Sequence, residues 1–133
     1  MGLSMYLYKE IYISEFQGKT SLIEPIKDLV GAKDETGNFE HVIVYVPSIY
    51  WRGTDSIHKW FVDNVQDGCD NCATYHVAVD QLRELLEMVR ERLKGKPDKM
   101  SNAQMSEMER TRGELEREIK FAEEAKCDFT YRS

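Results

Sequence analysis

The chain has 133 residues, 41% of them hydrophobic and 32% charged, with a formal net charge of −6. That length suits one domain burying roughly two thirds of its unfolded surface, so neither a metal nor a disulfide is required for folding. The acidic balance argues against extensive nucleic-acid binding, and no apolar run approaches the roughly 20 residues that span a bilayer.

The opening Met1-Gly-Leu-Ser-Met-Tyr-Leu-Tyr-Lys9 lacks the basic start, apolar core and small-residue cleavage site of a secretory signal, which points to a cytoplasmic protein. From Met5 to Ile13 aromatic and β-branched residues alternate. Met5, Leu7, Ile11 and Ile13 fall on one face and Tyr6, Tyr8 and Tyr12 on the other, which predicts a strand. Lys9 interrupts the apolar face. The stretch from Gln17 to Glu40 is polar, and Pro25 suits the first turn of a short helix running to about Val30.

His41-Val-Ile-Val-Tyr-Val46 predicts a second strand, buried on both faces and ended by Pro47. Beyond it, Thr54 or Asp55 can cap a helix whose apolar positions are Ile57, Trp60, Phe61 and Val65. Lys59, Asp63 and Gln66 are then expected in solvent, with His58 at the edge of the buried arc. Asp67-Gly68 ends this helix, and Cys69 to Ala73 reads as a loop.

Thr74 to Val79 predicts a short strand leading into a helix from Asp80 to Lys94, with Leu82, Leu85, Leu86, Val89 and Leu93 as its buried stripe. Ser101 and Gln104 form a capping box for a last helix. Its seam of Met105, Met108, Leu115, Ile119 and Ala122 is expected to pack on the chain's own sheet or helices, a homodimeric coiled coil being the alternative. Cys127 to Arg132 closes the chain as a strand near the first. The expected architecture is a single α+β domain: an antiparallel or mixed sheet of three to four strands, with about three helices on one face.

Residues 50 to 76 hold both tryptophans, two of the three histidines and two of the three cysteines, so candidate sites concentrate there. Trp51, Arg52, His58, Lys59 and Trp60 read as a binding surface, because aromatic rings and a guanidinium combine stacking area with fixed donors for a phosphate or carboxylate. Trp60 is expected in the core and Trp51, Arg52 and His58 at an exposed strand-to-helix junction. Cys69-x-x-Cys72-x-x-x-His76, with His58 as a fourth ligand, has residue types suited to tetrahedral zinc, against the plainer reading of an ordinary loop. A cysteine nucleophile beside His58 or His76 has the residue types but no oxyanion-turn signature. A calcium loop from Asp63 fails, because Val65 stands at the third ligand position and Thr74 at the twelfth, where a bidentate glutamate is needed. Phosphate-binding glycine loops and the His-Glu-x-x-His zinc motif do not occur.

The start Met1-Gly-Leu-Ser-Met-Tyr-Leu-Tyr, Tyr50-Trp-Arg, the run from Ile57-His-Lys-Trp-Phe to Asp67-Gly, and the ending Asp128-Phe-Thr-Tyr-Arg-Ser together resemble a family of small uncharacterised bacteriophage and prophage proteins. The family pattern has Tyr-Trp-Arg-Lys-Ala-Asn where this chain has Gly53-Thr-Asp-Ser after Arg52, and one cysteine, matching Cys72, after the Asp-Gly turn. Cys69 departs from it, which weakens zinc. The resemblance implies Trp51, Arg52, His58, Lys59, Asn64, Gln66, Asp67 and Cys72 as a common surface. It also implies a phage accessory role in the infected bacterium.

Three readings follow. The first is a non-enzymatic accessory protein that binds a host factor or a small anionic, nucleotide-like ligand through the Trp51, Arg52 and His58 region and needs no cofactor, counteracting host defence being one use of such binding. The others are a small zinc-dependent or cysteine enzyme, and a structural or oligomeric phage protein.

Overall fold

A computed structural model of the protein describes residues 4–14, 25, 28–29, 41–52, 55–70, 73–95 and 101–133. Strand β1 (Ser4–Ser14) is followed by β2 (His41–Arg52), helix α1 (Asp55–Asn64), β3 (Thr74–Val77), α2 (Val79–Gly95), α3 (Asn102–Ala125) and β4 (Asp128–Arg132). The expected helix from Pro25 to Val30 lies largely outside the described residues. The four strands form one antiparallel sheet in the order β2-β1-β4-β3. Together with the three helices this is an α+β fold, as the sequence predicts, with the closing strand beside the first. Among the described residues no helix is long and apolar enough to cross a membrane.

Because side chains alternate along a strand, the register sorts them into two faces. On one face Met5 is opposite Trp51, Leu7 lies between Ile49 and Tyr131, and Lys9 lies between Val46 and Phe129. This face carries the core. Met5, Leu7, Ile49, Trp51, Phe129 and Tyr131 are buried there together with Ile57 and Phe61 of α1, the Leu82, Leu85, Leu86 and Val89 stripe of α2, and Leu115, Ile119 and Ala122 of α3. The α3 seam is therefore used within the chain. Thr111 and Glu118 occupy the seam's polar positions and are buried as well. The capping box at Ser101 and Gln104 forms as expected.

Strand β2 departs from expectation in two ways. It continues past Pro47 to Arg52, because Leu7 faces Ile49 while Tyr8 faces Pro47, leaving Ser48 as an extra residue in a bulge. On an edge strand a proline's missing N–H need not cost a ladder bond, so Pro47 does not end the strand. Nor is the strand buried on both faces: as the sheet's outermost member it leaves Ile43, Val44 and Tyr45 exposed.

The same register corrects the two tryptophans. Trp51, expected in solvent, is fully buried, packs against Phe61 at 5.7 Å between ring centroids and donates its indole N–H to Thr111 Oγ1 at 2.9 Å. Trp60 is only partly buried and meets Phe61 edge-on. Helical spacing places Trp60 in the buried arc, but strand alternation past the bulge decides Trp51.

Lys9, the anomaly on the apolar face of β1, is held by α3. Its ammonium lies 2.9 Å from Oε2 of buried Glu118 and 4.4 Å from the centre of the Phe121 ring. An ion pair this enclosed costs desolvation that the attraction only roughly offsets, so breaking it should be worse than deleting it. Lys9→Met alone is expected to destabilise the protein by about 2–3 kcal/mol, and Lys9→Met with Glu118→Leu to recover to within about 1 kcal/mol of the parent. Urea unfolding at neutral pH measures both; a double variant less stable than the single would contradict the account.

Candidate functional site

The residues singled out between 50 and 76 do not form one surface. Arg52 follows buried Trp51 on β2, so alternation carries it to the sheet face away from the helices, where it is exposed. His58, Lys59, Asn64, Gln66 and Asp67 belong to α1 and the turn after it, on the helical side. Lys59 and Asp67 are exposed, and the Asn64 side chain donates to the Trp60 carbonyl in its own helix.

Gln66, expected in solvent, is 1% exposed, and among the described residues neither side-chain amide atom has a hydrogen-bond partner. The wheel that predicted its exposure stops applying at Asn64. Gln66 N–H bonds the Phe61 carbonyl, Gly68 N–H bonds the Val62 carbonyl, and Asp67 and Gly68 both take positive φ, at 52° and 79°. This wide turn swings Gln66 inward. The left-handed conformation explains the Asp-Gly pair, since both residue types tolerate it better than most.

His58 bridges two elements. Its Nδ1 lies 2.9 Å from the Tyr131 hydroxyl on β4, and its Nε2 lies 3.0 Å from Asp70 Oδ2 in the loop. The neutral tautomer that fits accepts the phenol proton at Nδ1 and donates Nε2–H to the carboxylate. A carboxylate, an imidazole and a hydroxyl in this order resemble an activated nucleophile. Here, however, the hydroxyl belongs to a residue with no exposed surface, its ring stacked on Phe61 at 3.9 Å. Substrate has no access to that oxygen, so the array works as a structural clasp of α1 onto the sheet.

The zinc reading does not assemble either. Both nitrogens of His58 are engaged, whereas His76 projects from β3 on the opposite sheet face and lies 3.6 Å from Asp128. Cys69 is exposed, and Cys72 lies outside the described residues. Among the described residues no three His, Cys, Asp or Glu side chains are grouped to hold a metal.

The sheet face opposite the three helices described above carries several exposed functional groups, although Thr130 on it is buried. In register it runs from Arg52 beside Ser4, through the row Tyr50, Tyr6, Arg132 and Thr74, to the row Pro47, Tyr8, Thr130 and His76, and on to Tyr45, Glu10 and Asp128. Tyr6, Tyr12, Tyr45 and Tyr50 are 37%, 44%, 53% and 42% exposed. Tyr6 stands 5.0 Å from Tyr50 and 6.0 Å from Tyr8 between ring centroids, and the Tyr50 hydroxyl lies 3.3 Å from Ser4 Oγ. Glu10 accepts a hydrogen bond from the Thr130 hydroxyl.

The arginines sort this face further. On the helices Arg83 binds Asp80 and Glu123, Arg90 binds Glu87 and Glu116, and Arg110 binds Glu107 and Glu114. These contacts raise all three guanidinium pKa values, chiefly through hydrogen bonds to the carboxylates. Arg52 and Arg132 are exposed and make no ion pair among the described residues. Arg92 and Arg112 on the helices share that property, so what marks Arg52 and Arg132 is their place beside exposed rings. Sequence reading found Arg52 and noted Tyr50 but missed Arg132, whose position depends on the pairing of β4 with β1. Alternation with buried Phe129 and Tyr131 was the available signal.

A cleft of about 480 Å³ lies at the far end of β1, lined by Glu10, Tyr12, Ile43, Phe121, Lys126 and Cys127 among others. Burial pushes the Cys127 thiol pKa up, which disfavours its reactive thiolate. Comparison of the chain with models of protein families, with curated proteins and with solved structures finds no match.

Two outcomes test this description. Removing both His58 bonds with His58→Ala should cost about 1–3 kcal/mol, mostly from the buried Tyr131 side, since the exposed Asp70 contact is worth little. A double-mutant cycle with Tyr131→Phe should show coupling of about 1 kcal/mol, and additive effects would refute the clasp. Separately, iodoacetamide at about pH 8 should label Cys69 on the order of tenfold faster than Cys127. Site-resolved mass spectrometry giving equal rates would contradict the burial of Cys127.

Proposed function

We propose that the protein is a non-enzymatic binding protein that takes a small anionic ligand at the Arg52 end of the open sheet face. The observation that carries this reading is the pair Arg52 and Arg132, exposed and without carboxylate partners among the described residues, on either side of the Ser4 to Tyr6 segment of β1. Register separates their Cα atoms by two strand spacings and two residues along the strand, roughly 12 Å, which two long side chains can close on one phosphate or carboxylate. Trp51 keeps a part in the site from beneath: its burial and its bond to Thr111 fix the strand end that presents Arg52.

The resemblance of Tyr50-Trp-Arg and Ile57-His-Lys-Trp-Phe to phage proteins supports an accessory role in an infected bacterium. Sequestering an anionic host signal would be one way to counteract a defence system. Orthophosphate and pyrophosphate titrations by calorimetry test the anion site. Arg52→Ala and Arg132→Ala should each weaken pyrophosphate binding on the order of tenfold while leaving the melting temperature unchanged, because neither side chain enters the core. No pyrophosphate binding by the parent protein, or binding by both variants as tight as the parent's, would end this reading.

A further inference from the structure

We infer that the anion bound at Arg52 and Arg132 is the phosphate of a mononucleotide whose base stacks on Tyr6 and Tyr50, an inference that rests on the anion site proposed above. Four observations carry it. The first is adjacency: Arg52 is two residues from Tyr50 on the same strand, and Arg132 is directly opposite Tyr6. A phosphate held between the arginines therefore lies over the Ser4 to Tyr6 segment, within roughly 4 Å along the strands of the row that carries both rings.

The second is the rings themselves. Tyr6 and Tyr50 touch at 5.0 Å with an interplanar angle of 42° and are both exposed, so they present apolar faces that no described element covers. Tyrosine loses little conformational entropy on binding, and a base stacks on it whatever its hydrogen-bonding pattern. The Tyr50 hydroxyl and Ser4 Oγ, 3.3 Å apart, add polar atoms between the ring platform and Arg52, where a ribose would lie.

The third observation sets the ligand's length. Two rows further along the same face the residues are Glu10 and Asp128. A strand of nucleic acid continuing past Tyr8 would bring its next phosphates over these carboxylates, with a net charge of −6 behind them. Cations at one end and carboxylates at the other suit a ligand whose charge is confined to one terminus.

The fourth is the spacing of Tyr6 and Tyr8. Their rings are nearly parallel, at 22°, but only 6.0 Å apart, too close for a base to enter between them at the usual stacking distance on each side. The base therefore lies on the outer surface of the Tyr6 and Tyr50 pair.

The experiment compares four probes by calorimetry on the full chain: pyrophosphate, adenosine, adenosine 5′-diphosphate and an eight-nucleotide single strand of adenylate, with the other three nucleoside diphosphates as a base panel. The diphosphate is expected to bind on the order of tenfold or more tighter than pyrophosphate, with bases differing little among themselves. Tyr6→Leu and Tyr50→Leu should each reduce that advantage while leaving pyrophosphate binding and the melting temperature unchanged, since both rings lie outside the core. Pyrophosphate bound as tightly as the diphosphate, or an advantage that survives both tyrosine substitutions, overturns the inference and leaves the anion site standing. Loss of all binding, pyrophosphate included, overturns the anion site itself. A single strand bound far more tightly than the diphosphate replaces the mononucleotide with a polynucleotide.

Discussion

The stack of Phe61 on Tyr131, 3.9 Å between ring centroids and 7° from parallel, joins the first helix to the last strand of the chain. Most of the structure hangs on it. Phe61 is also the ring against which Trp51 and Trp60 pack, and Tyr131 carries the hydroxyl that His58 engages. Because β4 lies between β1 and β3, holding its odd-numbered side chains under α1 fixes which face of every strand is closed. The opposite face then has no helix among the elements described above, and it displays Tyr6, Tyr12 and Arg132 while Thr130 stays buried among its neighbours. The proposed binding surface is in this sense a consequence of how the core closes.

Much of that division is written into β1. Its alternation of Met5 and Leu7 with Tyr6 and Tyr8 predicts the two faces directly, and the apparent violation at Lys9 is explained by a distant partner, Glu118, that no local pattern announces. Helices α2 and α3 read cleanly for a similar reason: their boundaries depend on capping and periodicity within a few residues. Where sequence reading failed, a non-local or irregular feature had displaced the local rule. The bulge at Ser48 carried β2 through Pro47 and turned Trp51 inward; the wide turn after Asn64 took Gln66 off the helical wheel. The candidate site was half legible. Arg52 stands out in Tyr50-Trp-Arg, but its partnership with Arg132 needs the register of a strand 80 residues later.

Charge is distributed with the same asymmetry. The helical arginines Arg83, Arg90 and Arg110 are occupied by carboxylates of their own or the neighbouring helix, bonds that are exposed and individually worth little but leave those guanidinium groups committed. These three are the arginines of the helices that carry two carboxylate partners each. The end of the sheet at Arg52 and Arg132 has no carboxylate partner among the described residues, and the carboxylates of Glu10 and Asp128 bound it along the strands.

Strand β2 has a consequence beyond binding. Among the described residues no strand pairs with its outer side, although Arg110 donates to the Tyr50 carbonyl from α3 and so shields that half of the edge. The other half, His41 to Val46, contains neither a lysine, an acidic residue nor a proline, and is composed of residues that favour extended pairing. Natural sheets usually guard such a stretch. Conditions that loosen α3 would remove the Arg110 shield first, and the chain would then be lost through ordered self-assembly in a concentration-dependent manner, rather than through simple reversible unfolding.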